Sequence, residues 1–200
     1  MTLRARRLSA SLRLAVGSLL VVQGCATIPS LPSRSRDLPM LYQVDEGLYR
    51  GGQPSLAGIR QLGQMGIKTI VCLRRPSLTV REERRLAEQL GLRWVSLPMW
   101  FWWRPSEKQI RKFLAVAEDP ASRPVFVHCR QGWNRAGIMV AIYRMVYHGW
   151  PARQAYAEAR QFGLVPWNLA SRHLLFREVP RTWASAAPAA FPPPSSQLSK

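Results

Sequence analysis

Acid is what this sequence has least of. Eleven Asp and Glu stand against 29 Lys and Arg, a formal charge of +18. Such a surface attracts anions: phosphorylated substrates, anionic lipid or nucleic acid, and charge alone does not choose among them. Arginine supplies most of the excess, and its planar fork matches two phosphate oxygens at once. Cysteine is also scarce. Cys25, Cys72 and Cys129 are the only three, too few for a disulfide framework. Among the three histidines, His148 and His173 lack partners at metal-ligand spacing, so no metal and no cofactor is expected. Long apolar runs are missing as well. The stretch at residues 14–22 is too short to span a bilayer comfortably. No internal repeat is present, which removes solenoid architectures.

What is present begins with a basic segment, Arg4, Arg6, Arg7 and Arg13, with no acid before Asp37. The short apolar run follows and ends at "VVQGCATIPS". Val22-Gln23-Gly24-Cys25 resembles a bacterial lipobox, although Gln23 departs from its usual small or β-branched residue. Residues 1–24 are therefore expected to be a signal peptide of lipoprotein type, with Cys25 the lipidated residue. This implies export and a lipid anchor on a bacterial membrane facing the periplasm. Residues 25–37, rich in Pro and Ser, read as a flexible tether, and residues 183–200 as a disordered tail. One domain, residues 38–182, lies between them.

Within that domain short strands alternate with helices. "YQVDEGLYRGG" suggests a hairpin turning at Asp45-Glu46-Gly47. Ser55 caps a short helix closed by Gly66. "KTIVCLR" is a β-branched strand. Thr79 and Glu82 form a capping box for a helix ending at Gly91. "LRWVSLP" is a further strand, and Ser106 with Gln109 caps the next helix. "PVFVH" is a continuous apolar strand suited to a sheet centre. Residues 137–147 are apolar nearly all round, a buried helix, and two more helices follow at residues 152–162 and 169–178. The pattern predicts an α/β fold with a central, mostly parallel sheet flanked by helices.

The segment strand–"HCRQGWNR"–helix concentrates the chemistry. Successive amides entering a helix form a nest for an anion, with the helix dipole behind it. Gly132 supplies the positive φ that such a turn needs. Arg135, in the first helical turn, offers a bidentate fork. Those donors favour the thiolate of Cys129, which is the nucleophilic form. Arg130, Gln131, Trp133 and Asn134 have side chains suited to rim the pocket.

His128-Cys129 followed by Gly132 and Arg135 fits H-C-x-x-G-x-x-R, and resembles the cysteine-dependent protein tyrosine phosphatase superfamily. "GLYRGGQPS", "GIKTIVCLRR" and "RPSEKQI" are similar to its small bacterial dual-specificity-type members. The resemblance covers roughly residues 40–180. It implies a phospho-cysteine intermediate on Cys129, phosphate held by Arg135 and the loop amides (Gly132 among them), and a loop-orienting His128. It also implies phosphoprotein, phosphoinositide or inositol phosphate substrates rather than nucleic acid. Cys72 matches the strand on which lipid phosphatases of the superfamily carry a second cysteine, a redox partner for the nucleophile.

Two departures stand against the family pattern. Ala136 occupies the position of a Ser or Thr whose hydroxyl eases breakdown of the phospho-cysteine. No Asp occurs between Asp45 and Asp119, where the family places its general acid. Glu107 is the nearest candidate, though an acid in the first turn of a capped helix has an ordinary structural reading. These departures keep open a phosphate-binding module that hardly turns over, and more remotely a sulfurtransferase. The consecutive Trp100, Phe101, Trp102 and Trp103 cannot all face one core. Some are expected near the site mouth, as a substrate wall or a lipid contact.

Overall fold

The computed structural model describes residues 35–100 and 103–179. The signal peptide, Cys25, most of the tether, Phe101, Trp102 and the C-terminal tail lie outside those residues. Strands β1 (Tyr42–Asp45) and β2 (Leu48–Gly51) form the expected hairpin. Strands β3 (Thr69–Cys72), β4 (Arg93–Ser96) and β5 (Val125–His128) complete one sheet in the order β1-β2-β5-β3-β4. Every pairing except that of β1 with β2 is parallel. All four residues of β5 are buried, as an unbroken apolar strand at the sheet centre requires.

The period-two alternation of β5 divides two cores. Phe126 packs with Ile59 and Leu62 of α1 (Leu56–Gln64), Ala87 of α2 (Leu78–Gln89) and Ile70. Val125 and Val127 face the opposite side. There they meet Phe113 and Leu114 of α3 (Glu107–Glu118) and the apolar surface of α4 (Asn134–Tyr147). Helix α4 is buried nearly all round, as read from its sequence, because α5 (Ala152–Gln161) covers its outer side. Arg144 and Glu158 join these two helices as a buried pair at 2.9 Å.

Two local readings change. Ser77, not Thr79, caps α2: its hydroxyl accepts the Val80 amide at 3.3 Å. Ser77 takes the extended backbone of an N-cap, and Thr79 falls inside the first turn, so the box with Glu82 does not form. The last helix among the described residues is α6 (Leu169–His173), which widens into a π-helical turn over Leu174–Glu178.

Candidate active site

Cys129 follows β5 at the carboxyl edge of the sheet, where open α/β sheets bind ligands. Its side chain is nearly buried and packs in the core on the α4 side. Gly132 has φ +79°, and a Cβ there would lie 2.8 Å from the backbone of Gly51 and Gly52. Only glycine fits on both counts. Helix α4 begins after the loop with Trp133 at its N-cap and no side-chain cap bond. The first-turn amides of α4 are therefore without a side-chain acceptor, as an anion site requires.

Segment 50–53 buttresses the loop from behind. The Gln53 amide donates to the Arg130 carbonyl at 3.1 Å. Arg50 is fully buried, its guanidinium 4.2 Å from the centre of the Phe162 ring, and its Nη2 donates to the Gly132 carbonyl at 2.6 Å. Burial lowers its pKa to about 10, against the opposing charges of Glu158 and Cys129. It stays cationic at neutral pH and adds a fixed positive charge behind the loop. The sequence motif containing Arg50 marked the resemblance, but the supporting role of Arg50 was not legible there.

Arg135 lies across the ends of two strands. Its Nη1 donates to the carbonyls of Leu73 and Met99, each at 3.4 Å. Its buried Nε has no protein partner among the described residues, a donor suited to a phosphoryl oxygen. Arg130 and Gln131 are exposed on the loop, as expected of rim residues. Trp133 is partly exposed and stacks against Gly163. Asn134 differs from expectation. Its side chain turns inward, accepting the Val165 amide at 2.8 Å, and ties the α5–α6 connection to the loop. An amide cap facing the core satisfies a buried donor, which the rim position would leave unpaired.

His128 is fully buried. Its Nδ1 sits 3.4 Å from the Cys129 carbonyl and its ring stacks on Phe126. Burial lowers its pKa to about 3, and the charges of Arg74 and Arg135 act in the same direction, so the ring is neutral. A neutral ring bonded to the loop backbone fits an orienting role and not a basic one. Cys72 and Cys129 are both free thiols. Alternation along β3 turns Cys72 to the α2 side, beside His128 and Glu83, whereas Cys129 packs on the α4 side. The pairing expected between them is not formed. Burial pushes the Cys72 thiol up to about 12.

Glu107 opens α3 and holds Arg111 at 2.5 Å, both exposed. This is the ordinary role of a first-turn acid. It also lines a cavity of about 820 Å³ with Trp100, Trp103, Arg104 and Ile110. Trp100 and Trp103 are exposed, and Arg75 lies 3.7 Å over the Trp100 ring. Trp100 thus reaches Arg75, just beyond the end of β3. Ala136 is fully buried in the core that contains Cys129.

Known proteins resemble this chain in sequence and in fold. Dual specificity protein phosphatase TpbA of Pseudomonas aeruginosa (strain UCBPP-PA14) is 30% identical over 124 residues, covering 62% of this chain and 54% of that protein. Inositol diphosphatase DSP1 of Oryza sativa subsp. japonica is 26% identical over 131 residues, covering 60% of this chain and 54% of that protein. The chain thus spans about half the length of these curated relatives. The crystal structure of P. aeruginosa TpbA in complex with pTyr superposes with a TM-score of 0.62 at 23% identity, over 78% of this chain and 99% of that one. The core catalytic domain of the PP-IP phosphatase SIW14 from S. cerevisiae does so with 0.61 at 17% identity, over 79% and 95%. Both share the fold. Residues 27–166, from the tether through the loop into the α5–α6 connection, match the family described as "DSP-PTPase phosphatase fused to NAD+ Kinase". The chain belongs to that family, within the cysteine-dependent protein tyrosine phosphatase superfamily.

Proposed function

We propose that the chain is a cysteine-dependent phosphatase that hydrolyses phosphomonoesters through a phospho-Cys129 intermediate. The observation that carries this reading is the loop itself. Cys129, the uncapped α4 N-terminus and the free Nε of Arg135 converge at the carboxyl edge of the sheet. The Cys129 thiolate attacks phosphorus in line, and the P–O bond to the leaving group breaks. The leaving oxygen then takes a proton from solvent or a nearby acid. Water next attacks the phospho-cysteine, releasing phosphate and the thiolate. Arg135 and the amides stabilise the equatorial oxygens in both steps.

The family places an aspartate acid before the cysteine, and this chain has none there. General acid catalysis is typically worth ~10²–10⁴-fold. With Glu107 engaged by Arg111, the reading favours substrates whose leaving group needs little protonation, such as aryl phosphates and phosphoanhydrides. The relatives' names offer two substrate classes, phosphoproteins and inositol diphosphates. Arg74, Arg75 and Arg130 beside the site suit a polyanion. The lipobox-like segment supports a lipid anchor through Cys25 and a periplasmic site of action. Ala136 and the missing aspartate favour a second reading, a phosphate-binding module with weak turnover. The full chain, reduced, is incubated with an aryl phosphate, a phosphotyrosine peptide and an inositol diphosphate beside Cys129→Ser. Phosphate release dependent on Cys129 supports the enzyme. Binding with no such release supports the module.

A further inference from the structure

The face of the sheet opposite α4 holds a second cluster that the phosphatase reading leaves unused. Cys72 ends β3, His128 ends β5 beside it in register, and Glu83 projects from α2. One ligand atom of each (the Cys72 sulfur, an imidazole nitrogen and a carboxylate oxygen) lies within 4.8 Å of the others, and all three residues are buried. Glu83 Oε2 and His128 Nε2 are 3.6 Å apart. Neither atom has a hydrogen-bond partner among the described residues. A buried polar atom left this way is costly, so the pair needs an explanation.

Hydrogen-bond geometry supplies part of it. A carbonyl oxygen only accepts, so the contact of His128 Nδ1 with the Cys129 carbonyl assigns the ring proton to Nδ1. Nε2 then presents a lone pair toward Glu83 Oε2, which presents another. The remaining neighbour, the Cys72 thiol, is a weak donor. The other carboxylate oxygen, Oε1, is already taken: Gln53 Nε2 donates to it, and Arg74 lies 3.8 Å away. Oε2 alone is left facing inward. A histidine whose Nδ1–H is fixed by a backbone carbonyl while Nε2 points at a carboxylate and a cysteine is the outer-shell arrangement of a metal ligand.

We propose that Cys72, Glu83 and His128 form a buried three-ligand site for a zinc-type divalent cation beneath the phosphate loop. This proposal does not depend on turnover at Cys129. One sulfur, one imidazole and one carboxylate suit zinc, whereas calcium and magnesium require oxygen alone. Bonds of about 2.0–2.3 Å set tetrahedral ligand separations of about 3.3–3.7 Å. The spacing between Nε2 and Oε2 is 3.6 Å, close to what nitrogen and oxygen ligands require, and the Cys72 sulfur lies within 4.8 Å of an atom of each residue. Binding displaces to solvent the thiol proton of Cys72 and the proton that the buried Glu83 carboxyl carries when it is not ionised. Thiolate, carboxylate and neutral imidazole then balance the dication, so no net charge is buried. Because His128 also holds the Cys129 carbonyl, occupancy fixes the entry to the catalytic loop. No ligand spacing announces such a site in the sequence, because the three residues come from β3, α2 and β5.

The test uses the full chain, reduced and metal-stripped, carrying Cys25→Ser and Cys129→Ser, so that Cys72 is the remaining thiol. Titration with Co²⁺ is expected to give one ion per chain and a thiolate-to-cobalt charge-transfer absorption. Zn²⁺ displaces it and raises the melting temperature. Glu83→Gln is expected to weaken binding at least tenfold and Cys72→Ala to abolish the absorption. X-ray absorption of the zinc-loaded parent needs no further variant and is expected to show one sulfur beside nitrogen and oxygen. Absence of the charge-transfer absorption in the folded parent overturns the proposal. So does a zinc shell of nitrogen and oxygen alone, or Glu83→Gln binding as tightly as its parent.

Discussion

Arg50 Nη2 donates to the carbonyl of Gly132 at 2.6 Å, across 82 positions of sequence. The bond ties β2 to the loop that carries Cys129 and holds the Gly132 carbonyl on a buried cation. A hydrogen bond to a charged group contributes about 1.5–3 kcal/mol. Arg50→Met keeps the buried stem and loses the donor. Its kcat/KM with an aryl phosphate is expected to fall roughly 10–100-fold, and inhibition by inorganic phosphate to weaken alongside. Lysine at this position restores the charge but not the reach of the fork, and recovers only part. A folded Arg50→Met variant, checked by circular dichroism, with unchanged kinetics would remove Arg50 from the account.

Ala136 is buried in the core that contains Cys129 and has no hydroxyl at the position where the family pattern carries a Ser or Thr. Breakdown of the phospho-enzyme is therefore the expected slow step. Rapid mixing with an aryl phosphate should give a burst of phenolate followed by a slower steady rate. Ala136→Ser should raise the steady rate and shrink the burst. The site is fully buried, so the added hydroxyl is tolerated only where the Cys129 sulfur accepts from it. A serine variant with wild-type burst and steady rate would place the slow step elsewhere.

Glu107 is exposed and tied to Arg111, which argues against a dedicated acid. Glu107→Gln is expected to change kcat/KM on aryl phosphates less than about threefold, far short of the ~10²-fold or more that general acid catalysis supplies. Across a series of aryl phosphates kcat/KM should fall steeply as the leaving phenol becomes more basic, while kcat, set by breakdown of the phospho-cysteine, changes little. A flat series together with a large Glu107→Gln effect would make Glu107 the acid after all.

Asp45 joins the sheet edge to α4 and α3. Its Oδ1 accepts from the Gly47 and Leu48 amides and Arg123, and its Oδ2 accepts the Tyr143 hydroxyl at 2.6 Å. Burial alone would raise its pKa. The hydrogen bonds of His148, Tyr143 and Gly47 and the charge of Arg123 overrule that and hold it well below the usual carboxylate range. A depressed carboxylate stabilises the fold fully above its unfolded pKa near ~4, and that stabilisation is lost as pH falls toward the folded value. Asp45→Asn is expected to cost about 2–4 kcal/mol at neutral pH. The gap from wild type should narrow in urea melts below pH ~3. A gap that stays constant with pH would contradict the assignment.

The sheet and its helices were readable because each strand kept its own short signature. The β-branched 69–72 stretch, the apolar "PVFVH" and the Ser106/Gln109 cap depend on neighbours in sequence. The nucleophile, the loop glycine and Arg135 were readable for the same reason, since one loop carries all three. What was not readable depends on contacts between distant segments. Arg50 looked like one arginine among many until the sheet placed β2 against β5. Asn134 read as a rim residue because its Val165 partner lies 31 positions away. Cys72 read as a partner of Cys129. Strand pleating sends it to the other face, beside a glutamate from a helix that sequence alone leaves unoriented. The choice of Ser77 over Thr79 was decided by backbone conformation, since either hydroxyl could cap.

The central claim is that Cys129 turns phosphate over and does not merely hold it. Trapping tests it most directly. The full chain is mixed with a radiolabelled aryl phosphate, quenched in acid within the burst, digested and mapped by mass spectrometry. The account predicts label on the Cys129 peptide, stable to acid and absent from Cys129→Ser, decaying at the steady rate of phosphate release. Tight binding of phosphate with no covalent label at any time, and release unchanged by Cys129→Ser, would contradict it.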